Sequence, residues 1–319
     1  TLDAIAAGDE SARAEAVVLG NSLIASDHVV DVVRARLVER FGDAGRGFLL
    51  PERLSKVAGR KVRTGEGTPG WNIETFAQDA PSDGTKLGPF GFTGSLHEST
   101  VSGDRTTWET EGAVRAKLFY LEHTGMPAMR LEAKTPSGWS MIARIEGIPL
   151  PKGANAAALA AIEHHERDET VDVELPKGTS ELTLVAEGKS AKVYGVALER
   201  DKAGVIVDTI GVPAASAGLY VEGTDPDIFG RQVALRDPSL FVAMLGGNEV
   251  RSLNYGTLDT KRFDAYLTEL VHRLKAAAPN ASCLLVAPID AVKATAAGEE
   301  LQTRPEIYEI GRAARRERV

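Results

Sequence analysis

A single cysteine, no long apolar run and no excess of basic residues set the first limits on this sequence. With Cys283 alone the chain cannot close a disulfide on itself, so it is not a small scaffold held together by cross-links. No stretch approaches the ~20 apolar residues that a helix needs to cross a bilayer, and no membrane span is expected. The formal net charge of −8 repels a phosphate backbone. No basic stripe interleaved with aromatics relieves that repulsion, so nucleic acid is not an expected partner. Internal repeats and low-complexity tracts are missing as well.

What is present is the composition of a folded globular protein, 43% apolar and 26% charged. At 319 residues the chain exceeds the usual size of one hydrophobic core, and two compact units are expected. Cys283 lies in the apolar run Cys283-Leu284-Leu285-Val286-Ala287 and reads as a small buried hydrophobe. The first residue is Thr1 rather than Met, which reads as a processed or trimmed N-terminus whose signal peptide, if any, is gone.

The run Glu15 to Leu19 ends at Gly20 and predicts a buried parallel strand. Val30, Val33, Leu37 and Phe41 then recur at helical spacing, with Ser26 or Asp27 able to cap the start and Gly42 or Gly45 to end it. Between about Trp71 and Glu199 the pattern becomes short alternating segments: Val114 to Leu121, Met129 to Ala133, Trp139 to Ile145, Val171 to Leu175, Leu182 to Ala186 and Val193 to Leu198. Turn residues separate them, as in an antiparallel β-sandwich of jelly-roll type. Asn155 to His165 is the exception, a short helix or long loop.

After Asp201 strands and helices alternate again. Val205 to Val207 and Leu240 to Leu245 read as strands, Phe263, Leu267, Leu270 and Leu274 as the apolar face of a helix, and Pro305 to Arg316 as a last helix. The expected architecture is therefore a three-layer α/β/α domain with a parallel sheet, formed by residues 1–70 and 200–319 and interrupted by a β-sandwich over 71–199.

Gly20-Asn21-Ser22-Leu23 falls where the first strand turns into a helix. Ser22 is thereby offered at the carboxyl edge of the sheet, where open α/β sheets bind ligands. A nucleophilic serine gains from this place because the following N–H groups and the helix N-terminus stabilise an oxyanion; the simpler alternative is a helix cap. The run from Leu19 to Phe48, with Arg34, Leu37, Phe41 to Gly45 and Gly47-Phe48, resembles the first block of SGNH (GDSL-like) hydrolases. Asn21 stands where that family usually has Asp.

The resemblance continues in two later stretches. Asp208-Thr209-Ile210-Gly211-Val212-Pro213-Ala214-Ala215 looks like the second block, with Ala214 where a second glycine is common. Leu245-Gly246-Gly247-Asn248-Glu249 resembles the third, Gly-x-Asn-Asp/Glu; alone it would read as an ordinary turn.

The resemblance implies Ser22 as nucleophile and an oxyanion hole from the backbone N–H groups of Ser22 and of Gly211 or Ala214, completed by the Asn248 amide. Asn21 and Gly247 would lie beside the substrate. It implies no metal and no cofactor. It further implies an O-acetylesterase acting on a polysaccharide or peptidoglycan, secreted, periplasmic or associated with the cell envelope, with the inserted sandwich similar to a carbohydrate-binding module.

The family also carries a base in an Asp-x-x-His segment near the C-terminus, and this sequence has none. Each of His28, His97, His123, His164, His165 and His272 lacks Asp three residues before it. Glu269 and His272 come nearest, but they fall inside the predicted helix as an i, i+3 surface pair. Either a C-terminal portion carrying the motif is missing, or the chain is a degenerate member that binds glycans without cleaving them. His164-His165, between Glu163 and Glu166, fits no usual zinc spacing and reads as a solvated loop. Trp71, Trp108, Trp139, Phe119 and Tyr120 are candidates for a sugar-stacking platform, each with core packing as the alternative.

Overall fold

The computed structural model describes residues 1–55, 64–79, 87–150, 153, 166–288, 292–295 and 298–301. The expected elements at Asn155 to His165 and Pro305 to Arg316 lie outside them. In chain order the helices are α1 (Leu2–Ala6), α2 (Ser22–Ala25), α3 (His28–Phe41), α4 (Ala217–Glu222), α5 (Pro226–Arg236), α6 (Gly247–Asn254) and α7 (Thr260–Ala277). The strands are β1 (Arg13–Gly20), β2 (Gly45–Leu49), β3 (Glu66–Gly67), β4 (Trp71–Thr75), β5 (Ser95–Ser99), β6 (Arg105–Glu109), β7 (Arg115–Glu122), β8 (Met129–Thr135) and β9 (Gly138–Ile145). They continue with β10 (Arg167–Glu174), β11 (Glu181–Ala186), β12 (Lys192–Glu199), β13 (Gly204–Gly211), β14 (Leu240–Met244), β15 (Ser282–Val286), β16 (Val292–Thr295) and β17 (Gly298–Leu301). No helix among the described residues is long and apolar enough to cross a membrane.

The chain divides into two compact units, one of Thr1–Arg13, Arg36–Thr75 and Ser95–Asp208, the other of Ala14–Ala35, Phe76–Gly94 and Thr209–Val319. The first is β-rich. Its strands form an antiparallel sheet in the order β10-β7-β12-β5-β4, with β2 also paired to β12, and a second sheet β3-β6-β11-β8-β9. Alternation along the strands turns Leu118, Tyr120, Val193 and Val196 of the first sheet and Leu131, Leu182 and Leu184 of the second into one shared core, which also holds Trp71 and Trp108. Strand β2 was not anticipated. Its glycines hid the pattern, yet they are required: a Cβ on Gly47 would lie 2.2 Å from Asp208 Oδ1, the buried carboxylate that accepts the Phe48 N–H at 2.7 Å.

The second unit is α/β, built on the parallel strands β1, β14 and β15 in the order β1-β14-β15, and it also holds the end of β13 from Thr209 to Gly211. Strand β1 buries Val17, Val18 and Leu19, and β14 buries Phe241, Ala243 and Met244. Helix α7 buries Phe263, Leu267, Leu270 and Leu274 at the expected spacing and packs on α4 and α5. Pro226 opens α5 after the Asp225 cap, which accepts two backbone N–H groups at 3.0 Å each.

Two expectations are corrected here. Cys283 is exposed rather than buried: among the described residues β15 ends the strand order and Ser282 to Leu284 are exposed. Val33 is 50% exposed, so α3 turns Val30 and Arg34 inward in place of the full apolar stripe.

Candidate active site

The site is set by one register. Strands β1 and β14 run parallel with Gly20 opposite Met244, so the two chains leave the sheet side by side at its carboxyl rim. After Gly20 the chain enters α2 at once, with Asn21 as its cap: the Asn21 side chain accepts the Leu23 N–H at 3.0 Å. Asn21 is buried and Ser22, the first residue of the helix, is exposed. Among the described residues no side chain hydrogen-bonds the Ser22 hydroxyl.

After Met244 the chain reaches Gly246, whose φ of 106° lies in the left-handed region that glycine tolerates, and starts α6. A Cβ on Gly247 would lie 3.3 Å from the Asn21 amide nitrogen, so the Asn21 and Gly247 turns are in contact. Asn248 is half-buried and donates one amide N–H to Ala215 O at 2.7 Å. An amide carries a second N–H donor, which that bond leaves for another acceptor.

Strand β13 supplies the third wall. At its end a Cβ on Gly211 would fall 2.1 Å from Ala25 N and 2.5 Å from Ala25 Cα. Glycine is obligatory there because the α2 backbone packs directly on it. The Val212 N–H then donates to Gly20 O at 3.1 Å. Ala214 is exposed with φ of 65°, so it holds the left-handed conformation that explains why glycine suits the position. Ser22, Gly211, Ala214, Asn248, Asn21 and Gly247, drawn from three distant stretches, thus sit on loops that touch.

Three groups whose roles sequence reasoning did not assign hold these loops. Glu249 is 2% exposed; one carboxylate oxygen accepts the Ala217 N–H at 2.6 Å and the other the Gly246 N–H at 2.9 Å. It joins the loop of Asn248 to the helix that follows Ala214. Burial pushes its pKa above the ordinary carboxylate value, and the three backbone N–H groups around it offset this in part. The Tyr220 hydroxyl lies 3.1 Å from Gly20 O and 3.2 Å from Ile210 O, sharing one proton between the ends of two strands. Burial raises its pKa further, so it stays a neutral donor.

The third group is an ion-pair network at the start of α3. Arg34 grips buried Asp27 through both guanidinium nitrogens at 3.1 and 3.2 Å, and Thr209 donates to the same carboxylate at 2.8 Å. The signal for Arg34 was in the sequence, as a charged residue on the inward face of a helix; its partner in Asp27 was not.

His97 and His123 belong to the β-rich unit, where His123 Nε2 is 2.8 Å from Ser190 O. Glu269 accepts from Arg273 at 2.8 Å on the surface of α7. His164 and His165 lie outside the described residues. Among the described residues no group of three or more His, Cys, Asp or Glu is gathered as for a metal ion.

A solved structure of a peptidoglycan O-acetylesterase, caught in action at 5 min, matches 99% of this chain and 78% of its own, with TM-score 0.71 and 19% identity. The chain has the fold of that esterase. A Bacillus subtilis protein, YXIM, matches 77% of this chain and 73% of its own at 11% identity, with TM-score 0.30. A Clostridium stercorarium CBM6 module in complex with cellobiose matches 42% of this chain and 86% of its own at 15% identity, with TM-score 0.26. Likenesses of that size support no conclusion. No protein-family model matches the chain, and no curated protein matches it in sequence.

Proposed function

We propose that this chain is a serine ester hydrolase of the SGNH type that removes an acyl group, acetyl above all, from peptidoglycan or a related cell-envelope polysaccharide outside the cytoplasm. The fold likeness to a peptidoglycan O-acetylesterase supports the class. The observation that carries the reading is the contact of the Asn21-Ser22 turn with the Gly247-Asn248 turn at the rim of a parallel sheet. In this reading the α/β unit is the three-layer α/β/α catalytic domain, and residues 71–199 are an inserted jelly-roll-like module that holds the glycan.

The Ser22 oxygen attacks the ester carbonyl, and the negative charge that develops on the carbonyl oxygen is met by the Ser22 and Ala214 N–H groups and by the second N–H of Asn248. Donors fixed before the reaction cost no reorganisation during it. We take Ala214 over Gly211 because Ala214 is exposed at the loop tip, whereas Gly211 lies under the α2 backbone. The base takes the Ser22 proton and passes it to the sugar oxygen, which departs as a hydroxyl; water then cleaves the acyl-serine, giving the free acid and restoring the serine hydroxyl. The base belongs, by the resemblance, to an Asp-x-x-His segment that this sequence does not contain, so the chain alone should turn over slowly: losing a triad member costs on the order of 10⁴-fold or more.

The test is hydrolysis of p-nitrophenyl acetate and release of acetate from O-acetylated peptidoglycan, by the chain alone and by the longest natural protein, each with Ser22→Ala and Asn248→Ala. Both substitutions should remove the activity above background, Asn248→Ala by about 10²–10³-fold. Equal rates in wild type and Ser22→Ala would leave a glycan-binding protein without ester chemistry.

A further inference from the structure

Tryptophan is the side chain with most to gain from burial, and two of the three in this chain are buried. Trp71 donates its indole N–H to Arg105 O at 3.0 Å and Trp108 to Leu50 O at 2.9 Å. Trp139 is 49% exposed on β9, at the edge of the five-stranded sheet.

Its neighbours follow from the register. Trp139 stands opposite Lys134, Lys134 opposite Glu181 and Glu181 opposite Glu109. One row along come Met141, Glu132, Thr183 and Thr107. Leu131 and Ala133 of β8 are buried, so these rows lie on the opposite, outer face. Lys134 Nζ sits 5.7 Å from the centre of the Trp139 ring and 2.6 Å from Glu181 Oε1, and Arg130 donates to Glu132 at 2.7 Å. The result is one accessible indole beside an exposed methionine, bordered by charged hydrogen-bonding pairs on a strip four strands wide, about 14 Å at the usual interstrand spacing.

We propose that this face is a glycan-binding platform: the Trp139 ring and Met141 take the apolar face of a pyranose in a chain of N-acetylhexosamine units, while Lys134, Glu181 and Glu132 take its hydroxyl and amide groups. The choice of sugar rests on the polysaccharide reading above. A protein partner fits less well, since Trp139 and Met141 are the only large exposed apolar side chains on these rows and a specific protein interface buries roughly 1,000 Å² or more. Pairing of β9 with a second copy is opposed by the register shift between Leu131 and Glu132 and by Arg144, held at the edge by Glu146 and Glu187.

Because the other two tryptophans are buried, acrylamide quenching of intrinsic fluorescence reports on Trp139. The full chain, Trp139→Ala and Trp139→Phe are compared for binding to chitohexaose, a soluble β-1,4-linked N-acetylglucosamine hexamer, and for co-sedimentation with purified peptidoglycan sacculi. The expected result is that chitohexaose shields Trp139 from acrylamide and that Trp139→Ala weakens binding to both probes by about tenfold or more. Trp139→Phe should fall between. Binding unchanged by Trp139→Ala, no binding to either probe, or a concentration-dependent dimer abolished by Trp139→Ala would each overturn the proposal. Retained Trp139-dependent binding with no Ser22-dependent ester cleavage would overturn the esterase reading alone; the converse would overturn the platform alone.

Discussion

Replacing Glu249 should loosen the candidate site before it unfolds the protein, and the size of the effect follows from two bonds. The carboxylate is buried and satisfies two backbone N–H groups, Ala217 at 2.6 Å and Gly246 at 2.9 Å. A buried donor left without a partner costs about 1–3 kcal/mol. Glu249→Ala orphans both and should cost about 2–6 kcal/mol, a large part of the ~5–15 kcal/mol that holds a typical domain together. Glu249→Gln keeps one accepting oxygen and turns an amide donor toward the other N–H, so about 1–3 kcal/mol is expected. Urea unfolding followed by circular dichroism measures the cost, and the rate at which a fluorophosphonate labels Ser22 in the folded variant measures the loosening.

Since the Glu249 pKa is raised by burial, the stability it contributes is fully present below the unfolded value near 4.5 and is lost as pH rises through the folded pKa. The gap between wild type and Glu249→Gln should therefore narrow toward alkaline pH. A Gln variant with wild-type stability and wild-type labelling would refute the claim that Glu249 joins the two loops.

Two further outcomes follow from single positions. His97 is fully buried with no well-formed partner on either ring nitrogen among the described residues, and desolvation pushes its pKa down to about 3, with the Glu52 backbone offsetting this in part. The unfolded chain takes up the proton near 6.5 while the folded one does not, so stability is level above that pH and falls below it. The loss should reach about 2 kcal/mol by pH 5, and urea titrations of wild type and His97→Leu should differ in slope over that range; parallel curves would show that His97 does not titrate as stated. Gly211→Ala drives a methyl into the Ala25 backbone and should cost about 3 kcal/mol or more together with loss of Ser22 labelling. Gly230→Ala, on α5 with nothing within 4 Å of the new Cβ, should instead gain up to about 1 kcal/mol; equal melting shifts for the two would contradict the packing argument.

What could be read from the sequence was whatever depends on local periodicity. Helix α7 announced itself through Phe263, Leu267, Leu270 and Leu274, and β8 through the alternation of Met129, Leu131 and Ala133, because each buries one face. Strand β2 could not be read: Gly45-Arg46-Gly47 carries no alternation, and its pairing with β12 joins residues about 150 apart in the chain. Exposure of Cys283 depends on which strand ends the sheet, a matter of topology rather than composition. At the site, Ser22 and Asn248 were visible as residues at strand ends. Their proximity was not, since it depends on the Gly20 to Met244 register. Glu249 was visible only as a motif letter, and its two bonds emerge only when the Ala217 helix is in place.

The most direct test of the central claim is a crystal structure of the protein after reaction with a small alkyl fluorophosphonate. The account predicts phosphorus bonded to Ser22 Oγ and a phosphonyl oxygen within hydrogen-bond distance, about 2.7–3.1 Å, of both Asn248 Nδ2 and the Ala214 nitrogen. An adduct on another residue, or on Ser22 with its oxygen turned away from Asn248, would contradict it.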